Sequence, residues 1–324
     1  MRALFLGGTS FTGPHAVREL AERGHEVTVF HRGEHEPELP EHVRHVHGDL
    51  ARWDDHVDEL RSLEPDVVVD MRAFVPEEAR RILDFRGIAR RAVVISSADV
   101  FLAYGRLRGS EPGPLEPLPL TEDSPLRELV VDQGYDKVGV ERAATGDPDL
   151  PATVIRYPAV HGPGDGQHRL YGYVRRMDDG RPAILLEETY ARWRWVRGYA
   201  EDVAHALVLA IESDAAAGRV YNVGDPVAHS ELEWVCRIAE VVGWEGRVVA
   251  APGDALPAYL REDGIDFAQD YVVDSSRIRE ELAYAEVVDE RTALERTIGW
   301  ERANPPSEVE LDYDAEDAAL ASLG

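Results

Sequence analysis

Lysine is nearly missing from this chain: Lys137 stands alone against 34 arginines. Where guanidinium has replaced ammonium everywhere else, a surviving lysine asks for a role that a planar fork cannot fill; chance survival is the plain alternative. Cysteine is as scarce, and the single Cys236 excludes an internal disulfide. Neither a signal peptide nor an apolar run of about twenty residues is present, so the chain reads as cytoplasmic and without a membrane span. Net positive charge is absent too. The formal charge is −27 at pH 7, which argues against a nucleic-acid partner and suits solubility in a salty cytoplasm. Internal repeats are lacking. With 324 residues the chain can bury a large core and suits one cofactor domain plus a smaller lobe.

What is there begins at the N-terminus. Arg2 to Leu6 is a short apolar run fit for a buried parallel strand. It breaks at Gly7-Gly8, and Val17, Leu20 and Ala21 then fall on one face of a helix that stops at Gly24. Val27 to Phe30 is a second β-rich run, so the order is strand, glycine turn, helix, strand. In Gly7-x-x-Ser10-x-x-Gly13, Gly7 permits a sharp turn and close approach of a pyrophosphate. Gly13 lets the helix sit close on the strand, and the helix N-terminus attracts the anion. Dinucleotide binding is the expectation, with Thr9, Ser10 and Phe11 in the same turn. The residues after the second strand, His31-Arg32-Gly33, offer no acid for a ribose 2′-hydroxyl. Arg32 can instead pair with a 2′-phosphate, so NADP is expected, with NAD the alternative.

Further strands are expected at Val43–His47, Asp66–Met71, Ala92–Ser97, Ala152–Arg156 and Gly218–Val223, the run DVVVDM marking a sheet covered on both faces. Eight of the twelve histidines precede residue 57, and His45 and His47 share a strand face. Without cysteines or a clear carboxylate set, no metal site is expected. Residues 104–133 are rich in proline and glycine and read as a long lid or flap, ending in a helix that carries Gly134 to Lys137 and Glu141. Between Gln167 and Arg197 the charge inverts, with seven arginines against four acids. That island indicates either an anionic ligand or an arginine face paired with surrounding acids. Helical patterns over Glu231–Val242, Asp274–Leu282 and Glu290–Glu301 form a small lobe, and the chain from Arg302 onward reads as a loose acidic tail.

Five strings carry a resemblance: LGGTSFTG at Leu6–Gly13, VVISSADVF at Val93–Phe101, Lys137-x-x-x-Glu141, YPAVHGPGD at Tyr157–Asp165, and Tyr199-Ala200-Glu201-Asp202-Val203. They resemble the extended and atypical short-chain dehydrogenase/reductases, the NAD-dependent epimerase/dehydratase group, from residue 2 to about residue 300. Ser10 replaces the middle glycine of G-x-x-G-x-x-G, a feature of the atypical members. The resemblance implies an α/β fold, a Rossmann-type doubly wound parallel sheet with a smaller, mostly helical C-terminal substrate lobe. Residues 1–160 would form the dinucleotide domain, completed by about 198–224. Residues 161–197 and 225–304 would form the substrate lobe, and 305–324 an acidic tail.

The same resemblance implies roles. Asp49 and Leu50 contact the adenine, although Asp49 is also a good helix N-cap. Ser97 hydrogen-bonds the substrate's reacting oxygen, unless it merely caps a turn. Lys137 binds the nicotinamide ribose and lowers the pKa of a catalytic tyrosine. Tyr157 and Pro158 cover the nicotinamide. His161, in place of the family's tyrosine, titrates near neutrality or acts as a structural hydrogen-bonder. Arg194 or Arg197 lies near the phosphate-binding arginine. One departure matters: the signature is Y-x-x-x-K, yet Gln133 stands four residues before Lys137. Tyr135 lies about 200° round an ideal helix from Lys137 and serves only if that helix starts late. Tyr104, seven residues after Ser97, is the other candidate acid/base. The activity implied is an NADP(H)-dependent oxidoreductase, epimerase or dehydratase acting on a small hydroxylated, anionic, sugar-nucleotide-like substrate. The rival is a cofactor-binding sensor or scaffold without turnover. The partner expected is a small molecule, with no nucleic acid, no membrane, and a homodimer left open.

Overall fold

The computed structural model describes residues 1–130 and 132–323. Val131, inside the expected 104–133 loop, and Gly324, at the end of the expected tail, lie outside the described residues. Six strands and five helices make up the first half: β1 (Arg2–Leu6), α1 (Thr12–Glu22), β2 (Glu26–His31), β3 (Arg44–His47), α2 (Val57–Ser62), β4 (Val67–Asp70), α3 (Pro76–Ala79), β5 (Arg91–Ser97), α4 (Leu102–Leu107), α5 (Lys137–Ala144) and β6 (Ala152–Tyr157). Then come β7 (Ala159–His161), α6 (Tyr171–Asp178), β8 (Ala183–Glu187), α7 (Glu188–Arg192), β9 (Arg197–Tyr199), α8 (Ala200–Glu212) and β10 (Val220–Asn222). The chain continues through α9 (Glu231–Val242), β11 (Arg247–Ala251), α10 (Ser276–Leu282), α11 (Glu290–Ala303) and α12 (Tyr313–Ser322).

Seven strands form one parallel sheet in the order β10-β6-β5-β4-β1-β2-β3. Alternation of side chains along each strand explains why the strands read as unbroken apolar runs. Ala3, Phe5, Val67, Val69, Val93 and Ile95 enter a core shared with α1 and α8. Leu4, Leu6, Val68, Ala92 and Val94 enter the opposite core with α2, α3 and α5. The strand order reverses between β1 and β4. Open α/β sheets bind ligands at the carboxyl ends of the strands flanking such a reversal. Gly7, Asp70 and Ser97 all sit at that edge.

The helix next to this crevice is set by a buried ionic network. Glu141 of α5 accepts from Arg156 Nε at 2.9 Å and Nη2 at 2.8 Å, and from the Ser96 hydroxyl at 2.6 Å. All three side chains are buried. The expected helix through Gly134–Lys137 is corrected at its start. Asp136 accepts from the Gly139 N–H at 2.8 Å and caps α5, so the helix begins at Lys137 and residue 135 precedes it.

Two further expectations change. Residues 102–107 are helical, so Tyr104 belongs to α4 rather than to a flap. The C-terminal segment is not a loose tail. Its α12 is docked by Glu316, 1% exposed, which accepts from Arg176 Nε at 3.0 Å and Nη2 at 2.6 Å. The small lobe also holds two short parallel pairs, β7 with β9 and β8 with β11, beside its helices. No helix among the described residues is long and apolar enough to cross a membrane.

The Glu141 network makes a stability prediction. Glu141→Ala leaves the Arg156 guanidinium buried without its carboxylate and is expected to cost about 3–5 kcal/mol. Urea unfolding of parent and variant reads the loss directly. A cost below about 1 kcal/mol would mean that Arg156 finds water or another acid.

Candidate active site

Polar side chains converge at the ends of β4 and β5. Lys137 is the first residue of α5 and only 4% exposed. Its Nζ donates to Ala73 O at 2.7 Å and Ile95 O at 3.0 Å and lies 4.7 Å from the centre of the Phe74 ring. An ammonium has three protons, so one donor remains for a ligand. Burial pushes its pKa down to about 8, against the pull of Asp70 and Asp99. Asp70, at the end of β4, accepts from the Arg72 and Ala73 N–H groups through Oδ1, at 2.8 Å and 2.9 Å. Its Oδ2 is buried without a hydrogen-bond partner, and burial raises its carboxyl.

Because α5 starts late, Tyr135 swings into this group. Its hydroxyl donates to Asp99 Oδ2 at 2.8 Å, and Lys137 Nζ lies 6.0 Å from the centre of its ring. Ser97 stands beside the same phenol. Ser97 also accepts from the Asp99 N–H at 3.3 Å, so it caps the short turn after β5 as well. Burial, then the charge of Asp99, raises the phenol well above its ordinary value. The resemblance implied a lowered phenol pKa; burial and the Asp99 charge act in the opposite direction here. Asp99 itself is raised by burial, against the Tyr135 hydrogen bond and the Arg127 charge. Gln133 is exposed and does not take the missing tyrosine's place. Tyr104 packs instead edge-on against Tyr271, with the Arg127 guanidinium 5.4 Å from its ring centre.

The dinucleotide turn has the geometry its sequence called for. A Cβ on Gly13 would stand 2.5 Å from Gly8 backbone atoms, and Gly7 has φ +85° with a would-be Cβ 2.4 Å from Arg72. Only glycine leaves both approaches open, and the cradle fits a pyrophosphate at the start of α1. Thr9, Ser10 and Phe11 form the rest of the turn, and Phe11 has φ +51°. Asp49 accepts from the Ala51 N–H at 2.9 Å, so it does cap a helical turn, while Leu50 packs on the sheet. His31 is buried, whereas Arg32 is exposed and paired with Glu34 at 2.8 Å. Tyr157 packs on the core of the sheet, and Pro158 lies against Gly198.

On the lobe side, a cavity of about 200 Å³ is lined by His161, Arg169, Tyr190, Trp195, Arg197, Glu231 and Trp234, among others. Arg197 pairs with buried Glu231 and lies 4.7 Å from the centre of the Trp234 ring. His161 is buried, hydrogen-bonded through Nδ1 to Thr297 Oγ1 at 3.1 Å, and pushed down to about 3 by burial and by Arg197 and Arg169. It is thus a neutral structural group, not one that titrates near neutrality. Arg194 turns away from the cavity to Glu233 at 3.0 Å and Ala228 O. Each of the seven arginines from Arg169 to Arg197 has an acid partner, several of them distant in sequence. The island is a paired arginine face. Asp99, Asp70 and Glu231 were missed from the sequence; only Asp99 carried a signal, two residues after Ser97 in SSADVF.

A dinucleotide cradle at the switch point of a Rossmann sheet, with serine, tyrosine and lysine at the ends of β5 and α5, defines an enzyme of the short-chain dehydrogenase type. The pattern of the NAD dependent epimerase/dehydratase family matches residues 3–224, and the chain belongs to that family. It is 27% identical to the 3-diazoavenalumate denitrifying reductase of a Streptomyces species, over 80% of this chain and 86% of that one. It is 27% identical to the UDP-glucose 4-epimerase of Corynebacterium glutamicum, over 91% and 94% of the two chains. Among solved structures, the UDP-glucuronic acid 4-epimerase of Bacillus cereus, in complex with UDP-glucuronic acid and NAD, superposes with a TM-score of 0.71 at 17% identity, covering 94% of this chain and 99% of that one.

The buried lysine makes a pH prediction. Its folded pKa of about 8 lies below the ordinary 10.5, so between the two the unfolded chain binds more protons and stability rises with pH. The cost of burying the charge is fully present at neutral pH and is relieved as pH climbs through 8 toward 10.5. The thermal midpoint of the apo parent should therefore gain on that of Lys137→Met across this window. Parallel curves would show that the ammonium titrates normally.

Proposed function

We propose that the chain is an NADP(H)-dependent enzyme that oxidises and reduces a carbinol carbon on an anionic, hydroxylated, sugar-nucleotide-like substrate. The single observation carrying this reading is the Tyr135–Asp99 hydrogen bond of 2.8 Å beside Ser97 and Lys137. The bound nicotinamide would supply the hydride acceptor or donor. Ser97 and Tyr135 hold the reacting oxygen. As the hydroxyl proton leaves the substrate, it passes to the Tyr135 oxygen while the tyrosine's own proton passes to Asp99 Oδ2. This relay matters because a phenol raised by burial is a poor base alone. Asp99, whose carboxyl burial raises, is the final acceptor, and it returns the proton in the reverse step. Lys137 offers its third N–H to the nicotinamide ribose.

Residues 1–160 and 198–224 hold the dinucleotide, and residues 161–197 and 225–304 hold the substrate. The cavity beside Arg197 is smaller than the roughly 300–1,000 Å³ of a whole-ligand pocket, so it receives one end of the substrate rather than the whole of it. Tyr190 and Trp195 line it and also belong to the apolar cluster of Ala98, Phe101 and Tyr104, which links it to the reacting groups. The nucleotide-sugar relatives support this substrate class. The preference for NADP(H) rests on Arg32, exposed after β2 where no acid replaces it.

Tyr135→Phe and Asp99→Asn are each expected to lower kcat on nucleotide sugars by roughly 10²–10⁴-fold, and Tyr104→Phe by less than about tenfold. Full turnover in Tyr135→Phe would remove the relay. Calorimetric titration should find NADP(H) binding several-fold more tightly than NAD(H), with Arg32→Asp reversing the order. Equal affinities in the parent, or a preference for NAD(H), would remove the NADP(H) assignment.

A further inference from the structure

A second group of ligating side chains lies outside the reacting centre. His31, Glu36, His45 and His47 bring one donor atom each within 4.8 Å of one another. The register of β2 on β3 places His31 opposite His47, and His45 lies two residues back on the same face. His31 Nε2 and His45 Nδ1 are 2.8 Å apart, and Glu36 Oε1 is 2.7 Å from His47 Nε2. The His31 ring meets the other two rings edge-on, at 5.0 Å and 4.9 Å between centres. Packing does not demand this convergence, since the His47 and Glu36 side chains are more than half exposed.

We propose that these four side chains form a binding site for a borderline divalent transition-metal ion of the zinc class, at the β2–β3 edge of the cofactor domain. Three imidazoles and one carboxylate are a tetrahedral donor set for such an ion, and imidazoles select it over hard cations such as Mg²⁺. The carboxylate that the sequence reading lacked comes from Glu36, in the loop after β2. Donors about 2.0–2.1 Å from a tetrahedral ion stand roughly 3.4 Å apart. The exposed His47 and Glu36 side chains can close the remaining gap by rotation. One contact has to give way. The Gly33 N–H donates to His31 Nδ1 at 3.1 Å, which leaves the ring proton on Nε2. Ligation through Nε2 moves that proton to Nδ1 and turns the Gly33 N–H outward. The ion would fasten the loop bearing Glu36 onto β3, within a few residues of Arg32.

The test is titration of the chelator-stripped full chain with ZnCl₂ and CoCl₂, by calorimetry and by visible absorption. The expected result is one ion per chain, intense tetrahedral Co²⁺ bands, and a higher thermal midpoint with Zn²⁺. In His45→Ala, and separately in the double variant Glu36→Gln/His47→Gln, affinity should fall roughly 100-fold or more, beyond the 10–100-fold typical of losing an outer-shell partner. Thermal unfolding of the apo forms checks that the variants are folded; the exposed Glu36 and His47 positions tolerate change. Absence of binding, an octahedral Co²⁺ spectrum, or unchanged affinity in the folded variants would overturn the proposal. Unchanged affinity would place the ion on other histidines or on the acidic surface.

Discussion

A buried ammonium holds three parts of this protein together. Lys137 opens α5, and its Nζ binds the carbonyl of Ala73, just beyond β4, and that of Ile95, within β5. An arginine there would bring a planar, larger head whose donors fan outward, and two convergent carbonyls at this depth suit a compact group better. The retention of one lysine among 34 arginines thus has a geometric reason. Glu141, one turn further along α5, locks the same helix to β5 and β6 through Ser96 and Arg156.

That pin also sets the electrostatics of the crevice. Asp70 and Asp99 are both raised by burial, and both favour the charged lysine, whose own pKa burial drives down. Charge is therefore rationed among a lysine, two carboxylates and a phenol in a space with little water. Groups held so closely exchange protons more readily than isolated ones whose pKa values lie far from neutrality. Tyr135 joins the group only because Asp136 caps α5 and keeps residue 135 off the helix.

The sheet was largely legible in the sequence because its physical signals are local. Unbroken β-branched runs, the Gly7 turn and the Gly13 contact each follow from a few neighbouring residues. The site was half legible. Ser97 and Lys137 lie where their strings indicated, but the late helix start was hidden. Asp136 and Gly139 form a capping pair that a search for tyrosine four residues before lysine passes over. Features built from distant residues stayed out of reach. Arg176 meets Glu316 across 140 residues, which turns an apparent tail into a docked helix. The arginines near residue 190 looked like an anion site because their partners, Glu231 and Glu233, lie some forty residues away. The histidine group was visible on β3 alone, since its carboxylate comes from a loop.

Lys137 has its central place as a buried, charged pin with a depressed pKa. Because the chain has one lysine, labelling with ¹³Cε-lysine gives a single resonance that reports on this group alone. Its chemical shift in the apo protein, followed from pH 6 to 11, is predicted to titrate with a midpoint near the expected value of about 8. A midpoint near the ordinary 10.5 would show an exposed, freely hydrated ammonium, and would contradict the central role given to this side chain.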